Sequence, residues 1–260
     1  MPLLTTLTTH WSAITTTYPP GAIEITVAIL SQLLGFWLIS TLYLLLDLLY
    51  PSFSQTHKLQ SSRSQPSRTA ILLCFRTVAT ANLSSTLLHL VLLHFTNYKL
   101  TLFTIPSHLP TMREILSDFL YALVTREALF YTIHRALHHP LLYRHIHKQH
   151  HSFTTPMALA AQYAHPVEHL LANVMPIVLP LALRRAHILS FALFLTAMLL
   201  ETASVHSGYD FAGARRHDLH HEKFRVNYGA SVGVLDWLFG TDVVGWDRKG
   251  KGKGEEKKEE

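Results

Sequence analysis

The sequence predicts an all-α protein, a multi-pass membrane helical bundle whose cytosolic, histidine-rich helical cap holds a di-metal centre. Three observations predict it. The 260 residues are 48% hydrophobic and only 15% charged, whereas a soluble domain carries about 25% charged residues. The apolar residues fall into runs long enough to cross a bilayer. The chain holds nineteen histidines, and most of them crowd into short-period clusters between those runs.

The first run, Ile25 to Leu46, is 22 residues long and reaches ~33 Å as a helix, enough for the ~30 Å hydrocarbon layer. It stops at Asp47 and Tyr50-Pro51. No basic segment or small-residue cleavage site precedes it, so it is read as a retained span. A polar connector, 52–69, follows. Ala70 to Phe95 is the second apolar stretch, with Arg76 placed at the interface and the span proper at about Val78 to Phe95. Beyond Pro106 and Pro110 a third helix is expected from about Met112 to Leu137. Leu170 to Ser204 is apolar again, broken by Arg184-Arg185. Its first part, Leu170 to Leu183, has 14 residues and reaches only ~21 Å. Either a tight helical hairpin turns at the arginine pair or the segment is re-entrant; both return the chain to the same side.

Short-loop charges orient the bundle. Residues 1–24 hold no Lys or Arg, whereas 52–69 hold Lys58, Arg63 and Arg68, so the N-terminus is expected to be lumenal and the connector cytosolic. Residues 134–169 and 205–260 then share the cytosolic side. The organisation expected is a membrane-spanning region over 1–111, a histidine-bearing domain over 112–248 and a disordered charged tail over 249–260. Lys257 and Lys258 in that tail stand where a dilysine endoplasmic reticulum retrieval signal would. The net charge of +5 suits an anionic leaflet. No basic stripe interleaved with aromatics is present, so nucleic acid is not an expected partner.

Most of the histidines lie between His134 and His221, in patterns. His134 and His138 form HxxxH at the end of the third helix. His147, His150 and His151 form HxxHH, and His217, His220 and His221 repeat it. On a helix, positions i and i+3 or i+4 share a face, so two imidazoles from one turn can grip one ion. The adjacent second histidine of an HH pair points about 100° away and is expected to serve a neighbouring ion. Eight imidazoles suit two ions better than one. Cys74 is the single cysteine, which leaves imidazole and carboxylate as ligands and favours Fe, Zn, Cu or Ni. His10, His57, His89, His94, His108 and His187 show no such spacing and are read as structural, and His139 and His145 as surface or outer residues.

The ordered segments HRALHHPLLYRHIHKQHHSFTTP, AHPVEH, HSGYDF, HDLHHEKFRVNYG and LDWLFGT resemble the signature of the fatty acid hydroxylase/sterol desaturase superfamily, from about Thr125 to Asp242. Within it they look closest to the sterol C-4 methyl oxidase and sphinganine hydroxylase branches. The resemblance implies two iron ions, O2, and electrons from NAD(P)H through a cytochrome b5/reductase-type donor. It implies an oxidoreductase acting on a lipid or sterol C–H bond at the endoplasmic reticulum membrane. Since no cytochrome b5-like domain is fused, the donor is expected to be external, docking near Arg144, Lys148, Arg215 and Arg216. By the same resemblance the metal ligands are His134, His138, His147, His150, His151, His217, His220 and His221, with His206 of HSGYD a ninth and His165 of HPVEH a tenth. His169 is read as structural. Glu168 and Asp210 are candidates for orienting ligand rings, and Asn227-Tyr228-Gly229 and Asp236-Trp237 for closing the fold. The rival classes are a metal transporter and a non-catalytic metal-binding membrane protein. Transporters bind near the bilayer midplane on broken helices, whereas these clusters lie in polar segments outside the spans.

Overall fold

The computed structural model describes residues 2–60, 66–210, 213–230 and 232–243. The expected charged tail 249–260, with Lys257 and Lys258, lies outside the described residues, as do Arg63 and the Phe211 of HSGYDF. The architecture is all-α, and the described residues form no sheet. Its helices are α1 (Pro2–Thr17), α2 (Pro20–Leu49), α3 (Pro51–His57), α4 (Arg68–Phe95), α5 (Met112–Leu137), α6 (Pro166–Leu183), α7 (Ile188–Val205), α8 (Ala214–Lys223) and α9 (Val234–Leu238).

Four of them, α2, α4, α6 and α7, are long and apolar enough to cross a membrane. Their outward faces agree, because Leu34, Leu42, Leu87, Leu92, Leu193 and Leu200 are all exposed. Apolar side chains standing outward along helices of this length want lipid rather than water. The chain is a membrane protein. The third helix forms at the expected bounds but is not among the four. It carries Asp118, Arg126 and Glu127, and the first two find partners on the neighbouring hairpin: Arg184 Nε donates to Asp118 Oδ1 at 3.0 Å and Arg126 Nη2 to Glu201 Oε2 at 2.7 Å. Its start is fixed by a capping box, with Thr111 and Glu114 each satisfying the other's backbone N–H.

The ambiguous stretch 170–204 is a hairpin that turns at Arg184-Arg185. Its first helix starts at Pro166, four residues earlier than the apolar run suggests, giving 18 residues and ~27 Å. The missing length comes from Pro-Val-Glu-His, whose Glu168 and His169 side chains are buried. The second apolar stretch is one 28-residue helix that passes straight through the exposed Arg76. Sequence reading gave no sign of α1. Trp11 anchors it by donating from Nε1 to the Pro106 carbonyl at 2.9 Å.

The bundle has two ends. At one, α1, the 96–111 loop and the Arg184-Arg185 turn meet. Thr104 bridges His187, and the buried Glu24 of α2 accepts from the backbone N–H of Leu102 and Phe103 at 2.8 and 3.2 Å. At the other end lie α3, the histidine segments, α8 and α9. Leu59 N–H donates to Gly208 O at 2.9 Å, and Gln60 reaches Asp218 between the histidines of α8 at 2.6 Å. The connector and the histidine clusters therefore share a side, the relation the charge pattern required. Between the ends, α2 and α7 pack closely at Gly35. A Cβ there would stand 2.7 Å from Thr196 O and 2.9 Å from Leu199 Cβ, so only glycine permits the approach. One apolar core, around Phe103, Leu181, Ile188 and Phe194, fills the loop end. A second, around Phe36, Val78, Met157 and Leu199, backs the histidines.

Candidate metal centre

Nine of the ten histidines expected as ligands converge in two groups. His134, His138, His147, His151 and His220 form one, and His150, His206, His217 and His221 the other. Within each group one nitrogen per ring lies within 4.8 Å of all the rest. The grouping corrects the spacing expectation, in which the second histidine of each HH pair served the neighbouring ion. The i, i+4 pairs His134/His138, His147/His151 and His217/His221 each stay together, while the i+3 members His150 and His220 cross to the opposite group. Each HH pair thus straddles both, and His151 and His221 sit 4.6 Å apart by ring centroid.

Regular helix explains only part of this. His217, His220 and His221 ride α8, which a left-handed Gly213 (φ 87°) opens and Phe224 (φ 63°) closes. His147, His150 and His151 do not sit on an α-helix. His147 ends a π-helical turn over Tyr143–His147, and His150 opens a tight 3-10 turn, His150–Ser152. The wide turn and the tight turn re-aim neighbouring rings where uniform α geometry would fan them apart.

The tautomers are set from behind. His134 Nδ1 donates to Tyr228 O at 2.7 Å, His220 Nδ1 to Val226 O at 2.6 Å and His206 Nδ1 to Thr202 O at 2.8 Å. A carbonyl can only accept, so these rings hold their proton on Nδ1 and turn a bare lone pair inward on Nε2. His147 Nδ1 meets Glu168 Oε1 at 2.7 Å. Yet the inward Nε2 atoms approach one another closely: His134–His147 at 3.1 Å, His138–His220 at 3.1 Å, His151–His220 at 3.2 Å and His206–His217 at 2.7 Å. Facing lone pairs repel unless a cation lies between them. Two imidazoles at right angles on one first-row ion, about 2.1 Å from each nitrogen, stand about 3.0 Å apart. The donor set therefore fits a metal ion in each group.

Burial keeps these rings neutral and ready to coordinate. His138 is pushed down to about 2 and His206 to about 4, in both cases first by desolvation. His151, His217 and His221 are held far below their ordinary range by burial and then by neighbouring imidazoles.

His165 is the tenth expected ligand, and it stands outside both groups. Its Nδ1 accepts the Val167 N–H at 3.2 Å and caps the start of α6. His169 is buried at 3.4 Å from Asn173, and His139 and His145 are exposed. Of the two candidate orienting carboxylates, Glu168 touches a ligand ring and Asp210 does not. Asp210 pairs instead with Arg215 at 2.7 Å, with both side chains half exposed. Arg216 is no docking residue either, for it is nearly buried between Asp236 and Asp242.

The outer contacts that sequence reading missed are in the segments taken as fold-closing. Val226 to Gly229 supplies the carbonyls for two rings of the five-histidine group. Asp236, fully buried, fixes that segment by accepting from the N–H of Tyr228 and Gly229, both at 2.7 Å, and from Thr241 Oγ1 at 2.6 Å. Gly233 (φ 65°) turns the chain there, and a Cβ on it would run into the Arg216 guanidinium. The signal existed in the sequence as an Asn-Tyr-Gly turn followed by a lone acid in an apolar stretch, but backbone acceptors leave no side-chain pattern.

The two groups differ in access. A cavity wedged between α5, α6 and α7 is lined by Arg126, Phe130, Ile177, Glu201, His206 and His217. It opens onto the four-histidine group.

The comparisons with known proteins agree with this geometry. Residues 119–241 match the fatty acid hydroxylase family model. Relatives include fatty acid hydroxylase ahd1 of Mycosarcoma maydis (43% identical, covering 52% of this chain and 36% of that protein). Another is fatty acid hydroxylase domain-containing protein 2 of Homo sapiens (38%, 52% and 41%). Methylsterol monooxygenase 1 of Danio rerio is 39% identical, with 56% of this chain and 55% of that protein covered. The chain spans roughly a third to just over half the length of these relatives. No solved structure matches it. Residues 119–241 are thus similar to the fatty acid hydroxylase family, in the superfamily that the histidine boxes resemble.

Proposed function

We propose that the chain is a membrane-bound di-iron oxygenase that hydroxylates, or otherwise oxidises or desaturates, a C–H bond of a sterol, sphingoid base or fatty acyl lipid. O2 and electrons from NAD(P)H, delivered by an external donor of the cytochrome b5/reductase type, complete the reaction. The observation that carries the reading is the inward convergence of nine imidazole nitrogens at the end of a bundle of lipid-facing helices. His134, His138, His147, His151 and His220 would hold one iron, and His150, His206, His217 and His221 the other. Iron bound there supplies the activation of O2 and the oxidising power that no side chain has.

The chain's own residues do the rest. The Nδ1–H bonds of His134, His206 and His220 hold the rings in the coordinating tautomer, and Glu168 steadies His147. Ile177, Phe130 and Leu199 give the cavity an apolar wall that accepts a hydrocarbon and keeps water from the reacting carbon. Because the four-histidine group has one ligand fewer and borders the cavity, the substrate is expected to approach there. The exposed Arg144 and Lys148, beside the histidine turns, suit an acidic donor on the side away from the bilayer. We assign that side to the cytosol on the charge asymmetry of the loops, and the membrane to the endoplasmic reticulum on the superfamily resemblance and the dilysine-like placing of Lys257 and Lys258. A transporter reading is disfavoured because the histidines gather at one end of the bundle instead of midway along it.

The test is iron quantification on the purified protein, followed by mass spectrometry of lipid extracts incubated with reductase, cytochrome b5 and NADPH. About two irons per chain and an oxygenated or desaturated product are expected. A metal-free protein, or full turnover after His150→Ala, would overturn the proposal.

A further inference from the structure

The cavity beside the four-histidine group is not purely apolar. Arg126 of α5 and Glu201 of α7 meet across it at 2.7 Å, with side chains 11% and 22% exposed. Both stand on helices that otherwise turn Leu120, Val124, Leu193 and Leu200 outward to lipid. A charged pair so little exposed costs desolvation that its mutual contact must offset. The structural use is plain, since the pair ties α5 to α7. It does not use up the groups. Arg126 has five N–H donors in a planar fork, and one of them serves Glu201. The same contact engages one oxygen of Glu201. What remains of both groups borders the cavity.

From this we infer that the part of the cavity lined by Arg126 and Glu201 is a polar subsite for an oxygen atom of the substrate, a hydroxyl or carbonyl, gripped by these two side chains. A hydroxyl accepts from the guanidinium and donates to the carboxylate, while a carbonyl takes the guanidinium alone. The substrate class is then an oxygenated apolar molecule, and a bare hydrocarbon chain leaves these groups unsatisfied. Position matters as well. Glu201 precedes His206 by five residues on one helix, a rise of ~7.5 Å. Arg126 precedes His134 by eight residues on α5, a rise of ~12 Å. The gripped oxygen and the carbon brought to the histidines are therefore several bonds apart, and a carbon adjacent to the oxygen-bearing one falls outside the reach. The choice of oxidised carbon rests on the oxygenase reading; the subsite does not.

The test is binding, scored without turnover. Tritiated oleyl alcohol and tritiated (Z)-9-octadecene, which differ only in the hydroxyl, are titrated onto the full-length protein in nanodiscs. The alcohol is expected to bind about tenfold tighter or better, the scale of one hydrogen bond to a charged group. Glu201→Gln should shrink the preference. The paired change Arg126→Met with Glu201→Met, which leaves no buried charge unpaired, should abolish it while the alkene binds as before, so that retained alkene binding reports an intact fold. Equal binding of the two probes to the unaltered protein, failure of both to bind, or a preference that survives the paired change overturns the inference. Iron-free protein that still prefers the alcohol would sink the oxygenase reading and leave the subsite standing. An active oxygenase without the preference would do the reverse.

Discussion

Asp236→Asn removes one negative charge and almost no volume, and it should disturb a group of histidines that Asp236 does not touch. The carboxylate is fully buried and accepts from Tyr228 N, Gly229 N and Thr241 Oγ1, with Arg216 Nη2 at 3.3 Å. The amide keeps one acceptor oxygen, for Tyr228 and Thr241, and turns an NH2 toward the Gly229 N–H and Arg216. Two donors then face each other. A buried hydrogen bond to a charged group is worth about 1.5–3 kcal/mol, and the orphaned Gly229 N–H adds a desolvation cost of about 1–3 kcal/mol. Arg216 keeps Asp242, so the full cost of an unpaired buried charge is avoided. A loss of about 3–5 kcal/mol is the expected sum, which in a chain of this size lowers the melting temperature by about 10 °C. Displacement of the Tyr228 carbonyl also frees the His134 ring. Removal of such outer partners lowers metal affinity by about 10–100-fold. The assay is iron content per chain against added chelator, with thermal unfolding in parallel. Iron should leave the five-histidine group first, taking the count from two toward one. An Asp236→Asn protein with unchanged metal retention would refute the argument that this carboxylate positions His134 through Tyr228.

Further expectations use other parts of the molecule. His151→Ala and His221→Ala should each lower the bound iron by about one per chain, from different groups, and identical spectra of the remaining metal would contradict the division into two. Gly35→Leu should destabilise the bundle by at least about 1–3 kcal/mol, the scale of overpacking, because the side chain would enter the Thr196 backbone; unchanged thermal unfolding would show that α2 and α7 do not pack as described. The metal-free protein should lose stability on acidification. His206 titrates at about 4 when folded and near 6.5 when unfolded, so the unfolded state binds more protons. Stability is then present above about pH 6.5 and falls by up to about 1.4 kcal/mol per pH unit per such imidazole as the pH drops toward 4. A flat profile between pH 7 and pH 5 by denaturant titration would speak against burial of these rings.

Much of this was legible in the sequence, for reasons that particular residues make clear. Apolar runs announce helices because lipid leaves the backbone no alternative, and the histidine boxes stand out because imidazole is costly to bury in numbers without a ligand. The i, i+4 pair His134/His138 followed from helix geometry alone. For His217, His220 and His221 that geometry left i+3 and i+4 open and sent the second histidine of the pair to the other ion, where the structure sends His220. His150 and His151 did not follow from it either, since nothing in HKQHHS marks a π turn running into a 3-10 turn. Helix α1 escaped because its Thr-rich, weakly apolar sequence resembles a loop, and it is held by the tertiary contact of Trp11. His165 shows the opposite limit. Its HPVEH spacing matches a ligand box, yet Pro166 makes the preceding residue a helix cap, and the ring satisfies the local backbone instead of joining a distant group.

The outer contacts explain why the two histidine groups need a folded chain and not merely nearby helices. A bare lone pair is aimed only if the opposite ring nitrogen is held, and three of the four holds read from the structure are backbone carbonyls: Thr202 inside α7, and Val226 and Tyr228 in the return after α8. A carbonyl cannot be mutated away, but the residues that place it can. Asn227, at φ 56°, is such a residue. It donates to Arg216 O at 3.1 Å and accepts from Val243 N at 3.1 Å, binding α8 to the chain after α9. Asn227→Ala removes both bonds and disfavours the left-handed turn. It should therefore loosen His220 and His134 together, while His206, held within α7, stays in place. Selective loss of iron from the five-histidine group, read by chelator kinetics, is the expected outcome. Equal release of both ions would mean that the aim of the rings is set by the metal and not by the backbone behind them.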